Sequence, residues 1–145
     1  MPLTTQERFA RAAARLEGVP FIEHGRDPKV GLDCVGLVLV PAKKVGVHFE
    51  DRPYVTVPGS DYWTPMVATI ETLADAVEGA KGDPDRWQRG DVLGIRFGHL
   101  KNHLAVYLGK GLMIHAYDAT AIRRVVITPM DPALVRCVNA AWRLR

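Results

Sequence analysis

The sequence predicts an α+β fold, with helices first and an antiparallel run of strands after them. Two amphipathic segments of helical period stand in the first half, and five short strand-like runs follow Gly90 with turn residues between them. The chain has 145 residues, of which 48% are hydrophobic and 24% charged, which suits one globular domain over 1–145 with an apolar core of its own.

The first element is residues 4–17, with Phe9, Ala12, Ala13 and Leu16 on one face, Thr4 or Thr5 as cap and Gly18 as stop. A loop rich in Gly, Pro and Asp follows, VPFIEHGRDPKVGLD. The segment CVGLVLVPAKKVGV reads two ways. Its valines favour a buried strand, whereas Asp33 before it resembles a helix cap and Gly46 a helix stop, with Pro41 kinking or shortening such a helix. Residues 50–63 are irregular. Thr64 and Pro65 open a second helix whose core face is Met66, Val67, Ile70, Leu73, Ala74 and Val77. From Gly90 come DVLGIRF, HLAVYLG, GLMIHAY, RRVVIT and CVNAAWR, the second and third forming a hairpin that turns at Gly109–Gly111.

Composition excludes several classes of function. No stretch of 18 apolar residues exists, so no helix is expected to span a membrane. The net charge of +3 comes from scattered residues, so no nucleic-acid footprint is expected. The N-terminus carries Arg8, Arg11 and Arg15 where a secretory leader needs an apolar run, so synthesis in the cytoplasm is expected. Two cysteines, Cys34 and Cys137, are too few for a disulfide framework, and the sequence leaves open whether they pair.

Cys34 carries the chemical interest. If Asp33 caps a helix, Cys34 lies in the first turn, where the helix dipole and unpaired N–H groups favour a thiolate and can hold an oxyanion. A thiol titrating below its usual value of about 8.5 is then expected, although the Asp33 charge opposes it. A small buried apolar cysteine is the ordinary alternative. A base would decide between them. Of the five histidines, His103 begins one strand and His115 lies near the end of the next, facing it across the hairpin. Together they supply a nucleophile, a base and a group that orients the base. A metal site of His99, His103 and His115 is the rival constellation. The HxxxH spacing needs a helix, which Gly98 and the strand pattern oppose, so neither metal nor other cofactor is expected.

These residues also carry a family resemblance. GLDCVGLV resembles the nucleophile motif of the NlpC-type papain-like cysteine peptidases, commonly Asp-Cys-Ser-Gly-Leu-Val. QRGDVLGIRF resembles the strand that follows in that family, and NHLAVYLGKGLMIHAY its histidine strand and the next, which ends in a third polar residue. The resemblance spans residues 5–145. It implies a papain-like NlpC-type fold, with N-terminal helices packed on a small antiparallel sheet and residues 34–45 helical. It implies Cys34 as nucleophile, His103 as base and His115 as orienting residue. The substrate it implies is peptidoglycan stem peptides, which members often cut between D-γ-glutamate and diaminopimelate. Two positions depart from the pattern. Phe21 stands where many members have a tyrosine whose hydroxyl helps position the oxyanion, so Asp33, His24 or backbone N–H groups are the candidates for that part of the site. Val35 replaces the small hydroxyl residue after the cysteine.

Within the family, PFIEHGRDPKVGLDC and the closing VNAAWRLR resemble peptidases encoded in the tail gene clusters of phages and gene transfer agents. That likeness implies tail-hub or tail-tip partners, and a protein made in the cytoplasm and then carried on a virion or particle tail tip. Tyr54, Tyr62 and Trp63 are the candidate anchors for such a partner. It also raises an alternative function, a structural tail or baseplate component of the same fold with little or no hydrolysis.

Overall fold

The computed structural model describes residues 2–97 and 101–145. Helix α1 (Thr5–Ala14) is capped by the Thr4 hydroxyl, which accepts from the Glu7 N–H at 3.0 Å, and it buries Phe9, Ala10, Ala12 and Ala13. Strands β1 (Arg26–Asp27) and β2 (Gly31–Leu32) make a small antiparallel hairpin that leads into α2 (Cys34–Lys44). The ambiguous segment is therefore helical. Asp33 caps it, accepting from the Gly36 N–H at 2.9 Å, and residues Cys34–Leu39 are all buried. A helix buried all round has no polar face, so its composition mimics that of an interior strand. Pro41 lies inside it without ending it, and α2 continues to Lys44, packed between α1 and the sheet. Gly36 has a local reason to be glycine: a side chain there would collide with the Gly25 carbonyl oxygen.

Helix α3 (Trp63–Glu71) starts one residue before Thr64. Asp61 receives the Thr64 N–H at 3.1 Å and its hydroxyl at 2.6 Å, which is the role expected of Thr64 itself. The helix also ends earlier than its apolar spacing predicted. Ala74 belongs to strand β3 (Ala74–Ala76), because the chain there pairs with its own C-terminus, Ala74 opposite Leu144 and Ala76 opposite Trp142. Leu73 and Val77 flank that strand instead of extending the helical face.

The remaining strands are β4 (Val92–Phe97), β5 (Lys101–Gly109), β6 (Leu112–Tyr117), β7 (Arg124–Pro129) and β8 (Val138–Leu144), with the short helix α4 (Pro132–Arg136) before the last. They form an antiparallel sheet in the order β3-β8-β4-β5-β6-β7. One face, carrying Leu104, Val106, Ile114, Ala116 and Val125, packs on α1 and α2 around Phe9, Leu37 and Val38. The other carries Leu93, Ile95, Ala105, Tyr107 and Met113 and is closed by Trp87 and Val138. Strand alternation thus builds two apolar clusters from one sheet.

The β5–β6 hairpin contains a bulge that decides where its histidines point. Gly109 pairs with Leu112 across the Lys110–Gly111 turn, but the register then shifts, so that Tyr107 pairs with Met113 and Val106 with Ile114. Lys110 (φ 53°) and Gly111 (φ 73°) both have positive φ, as the common two-residue hairpin turn requires. Had the register of the turn persisted, His115 would stand opposite Val106 and point away from His103. The extra residue, Leu108, changes the parity and returns both imidazoles to one face. His115 then lies opposite Ala105, so it meets His103 on the diagonal and not directly across the ladder as the sequence suggested.

Candidate active site

Cys34 opens α2 and is 7% exposed. Its sulfur receives a hydrogen bond from the Leu104 backbone, which seats it beside the strand residue that follows His103. Burial, and then the Asp33 charge, push the Cys34 thiol up to about 12, against smaller opposing effects of the backbone N–H groups and Arg26. The helix start alone therefore does not make a thiolate, contrary to the expectation above. Desolvation at this depth outweighs the dipole, and the proton must leave through a base.

The two histidines expected to serve as base and orienting group lie together. His103 Nε2 lies 2.8 Å from His115 Nδ1, with the rings nearly perpendicular at 79°. His115 Nε2 lies 2.9 Å from the Thr128 hydroxyl oxygen. His115 is 2% exposed, and burial lowers its pKa to about 4, so it is a neutral imidazole at ordinary pH. A neutral imidazole has one N–H. In the tautomer that gives this proton to Thr128 from Nε2, Nδ1 accepts from His103 Nε2–H, and the basic nitrogen of His103 is then Nδ1. Both nitrogens of His115 are engaged, which leaves neither for a metal ion. His99 of the rival metal constellation lies outside the described residues.

Asp33, 3% exposed, lines the cavity and anchors the helix start. One of its oxygens accepts from Gly36 N–H at 2.9 Å and Arg26 Nη1 at 2.8 Å. The other accepts from His24 N–H at 2.9 Å and the Tyr54 hydroxyl. Arg26 also reaches Asp51 at 2.8 Å and the Tyr54 hydroxyl at 2.8 Å. Burial and the adjacent carboxylate raise the Tyr54 phenol above its usual range, keeping it a donor. The candidate role of His24 in oxyanion binding is corrected. Its ring turns outward to the Tyr54 carbonyl at 2.8 Å, and only its backbone N–H serves the site, through Asp33. Phe21 does line the cavity, and it brings no hydroxyl.

That cavity, about 670 Å³, is lined by Cys34, His103, Phe21, Asp33, Asp118 and Arg123 together with residues 56–60, Tyr62 and Met66. The aromatics expected to anchor a partner are used internally. Tyr54 is buried on Asp33, the Tyr62 hydroxyl accepts from the Asn102 N–H at 3.0 Å, and Trp63 packs edge-on to Trp142. Cys137 caps the end of α4 beside the second cluster, whereas Cys34 belongs to the first, and both are free thiols.

The family model described as "NlpC/P60 family" matches residues 18–138. The chain belongs to the NlpC/P60 family. Among solved structures, it superposes on an NlpC/P60 family protein from Bacillus cereus with a TM-score of 0.66 and 23% identity, over 99% of this chain and 41% of that one. NlpC2 from Trichomonas vaginalis gives a TM-score of 0.72 at 16% identity, over 99% of this chain and 48% of that one. The NlpC/p60 domain of the peptidoglycan hydrolase SagA gives 0.59 at 21%, over 96% and 98%. The chain thus spans under half the length of the first two proteins and nearly all of the SagA domain. No curated protein matches it. The NlpC/P60 papain-like fold, helices on an antiparallel sheet, is the one the motifs implied.

Sequence reasoning missed three contributors to this NlpC/P60 site: Arg26, Tyr54 and Thr128. Thr128 left a trace, a polar residue closing the otherwise apolar strand RVVIT, two positions beyond Val126, the partner of His115. Arg26 lies in the two-residue strand β1 and Tyr54 in an irregular loop, neither long enough or regular enough to give a periodic signal.

Proposed function

We propose that this chain is a cysteine hydrolase of peptidoglycan stem peptides, with Cys34 as nucleophile, His103 as base and His115 as the residue that orients the base. The observation that carries the reading is the 2.8 Å contact between His103 and His115 on a strand whose next residue hydrogen-bonds the Cys34 sulfur. In the reaction the Cys34 proton passes to His103 Nδ1 as the sulfur attacks the substrate carbonyl carbon. The carbonyl oxygen becomes an oxyanion beside the free N–H groups at the start of α2. His103 then protonates the departing amine, leaving a thioester on Cys34. Water, deprotonated by His103, hydrolyses the thioester and restores the thiol.

The D-γ-glutamyl-diaminopimelate bond is the proposed point of cleavage, supported by the likeness of the three motifs to their family counterparts. Carriage on a phage-like tail tip is proposed on the likeness of residues 20–34 and 138–145 to tail-cluster peptidases. Digestion of isolated peptidoglycan by wild type and by Cys34→Ala tests the chemistry: released muropeptides from wild type alone support it, and identical profiles refute it. Purified, washed particles that lack the chain would refute the tail placement. Two observations favour the second reading, a structural tail component: Phe21 brings no hydroxyl to the cavity, and the resting thiol is protonated. The same digestion separates the two readings.

A further inference from the structure

We infer that Arg123, stacked on Phe21 at the wall of the catalytic cavity, is a subsite for a carboxylate of the substrate, an inference that rests on the hydrolase reading above. Its guanidinium carbon lies 5.4 Å from the centroid of the Phe21 ring, and both side chains line the cavity with Cys34 and His103. A guanidinium over an aromatic face keeps N–H donors available, and it can engage a carboxylate through two parallel hydrogen bonds. Phe21 thereby has a use that needs no hydroxyl.

The backbone supports the same conclusion. Arg123 has φ of 44°, in the left-handed region that a long side chain rarely adopts. It is held there from both sides, its N–H donating to the Ala119 carbonyl at 3.0 Å and its carbonyl accepting from the Phe21 N–H at 2.9 Å. Backbone strain fixed by its surroundings clusters at functional sites, and this strain fixes where one cation stands. Arg26, Arg89 and Arg143 are each committed to a carboxylate of the fold, whereas Arg123 makes no ion pair among the described residues. Glu23, Asp33 and Asp118 also line the cavity, so its overall charge does not favour a polyanion. What fits is one discrete carboxylate on a peptide, delivered to one arginine.

Arg123→Asn is the variant of choice, because asparagine tolerates positive φ and so keeps the local backbone. Two stem-peptide substrates are compared, one with a free α-carboxylate on its glutamyl residue and one with that group amidated. Wild type is expected to prefer the free acid by about tenfold in kcat/KM, mostly through KM, as a charge-assisted bidentate contact implies. Arg123→Asn should erase that preference while cutting the amide as wild type does, and Arg123→Lys should restore part of it. Equal losses on both substrates, or an unchanged preference, would overturn the subsite. The same two peptides are also titrated against Cys34→Ala with and without Arg123→Asn. Weaker binding of the acid alone supports the subsite even if no hydrolysis is ever seen, and equal binding of both peptides overturns it. A wild type inactive on both peptides would refute the hydrolase reading separately.

Discussion

Replacing Asp33 by Asn removes one charge and almost no volume, and it should separate the stability of the helix start from the reactivity of the thiol. The amide oxygen can keep the pair of donors at the cap, Gly36 N–H and Arg26. The amide nitrogen then faces the His24 N–H, donor against donor, where a carboxylate oxygen had accepted at 2.9 Å. An orphaned, mostly buried donor costs about 1–3 kcal/mol. Arg26 loses its buried counter-charge but keeps Asp51 at 2.8 Å, which limits that loss to about 1 kcal/mol. The sum is roughly 2–4 kcal/mol, or a urea midpoint lower by roughly 1–2 M with an unchanged slope. The thiol should respond in the opposite sense. The Asp33 charge is the second cause holding the Cys34 proton on, so its removal lowers the thiol pKa and speeds alkylation by iodoacetamide at fixed pH. Stability within about 0.5 kcal/mol of wild type, or slower alkylation, would refute the assignment of Asp33 as the electrostatic anchor of the site.

His115 predicts a pH dependence of stability. Its folded pKa of about 4 lies below the unfolded 6.5, so as pH falls from 6.5 to 4 the unfolded chain binds a proton that the folded chain refuses. Stability should drop by roughly 3 kcal/mol over that window, and denaturant melts of His115→Gln should lack this component. His103→Ala should lose more kcat than His115→Ala, with the double variant little worse than His103→Ala, because the groups act as a unit; full activity in His115→Ala would remove it from the site. Thr128→Val leaves the His115 N–H unpaired and frees its tautomer, so kcat should fall about tenfold with KM little changed, and Thr128→Ser should recover most of it.

The motifs around Cys34, His103 and His115 were legible because each combines a reactive side chain with a local pattern, a cap or an apolar strand. The α+β order was legible for the same reason. The α2 segment was legible only through the motif resemblance, which implied a helix over 34–45, since a helix buried on every side carries no period that tells it from an interior strand. The end of α3 was not, because Ala74–Ala76 is claimed by β8, nearly seventy residues away, and no local preference reports that pairing. The protonated state of the thiol was not, because the helix start is visible in sequence whereas the depth of burial that opposes it is a property of the finished core.

The bulge at Leu108 makes the hairpin a device for counting. His103 and His115 are twelve positions apart, and they share a face only because one residue of those twelve is left out of the ladder. Loops on a protein surface ordinarily absorb insertions and deletions, and this one, at the far end of the hairpin from the cavity, has the appearance of such a place. The turn can do so, but in the paired strands on either side of it length is constrained by parity. Removing Leu108 itself would straighten the strand and leave Tyr107 opposite Met113 and Val106 opposite Ile114, so both histidines would keep their common face, whereas removing one residue between Leu112 and His115 with the bulge retained would turn His115 to the opposite side of the sheet. Changes of length within the paired strands are therefore expected at the bulge itself or in steps of two.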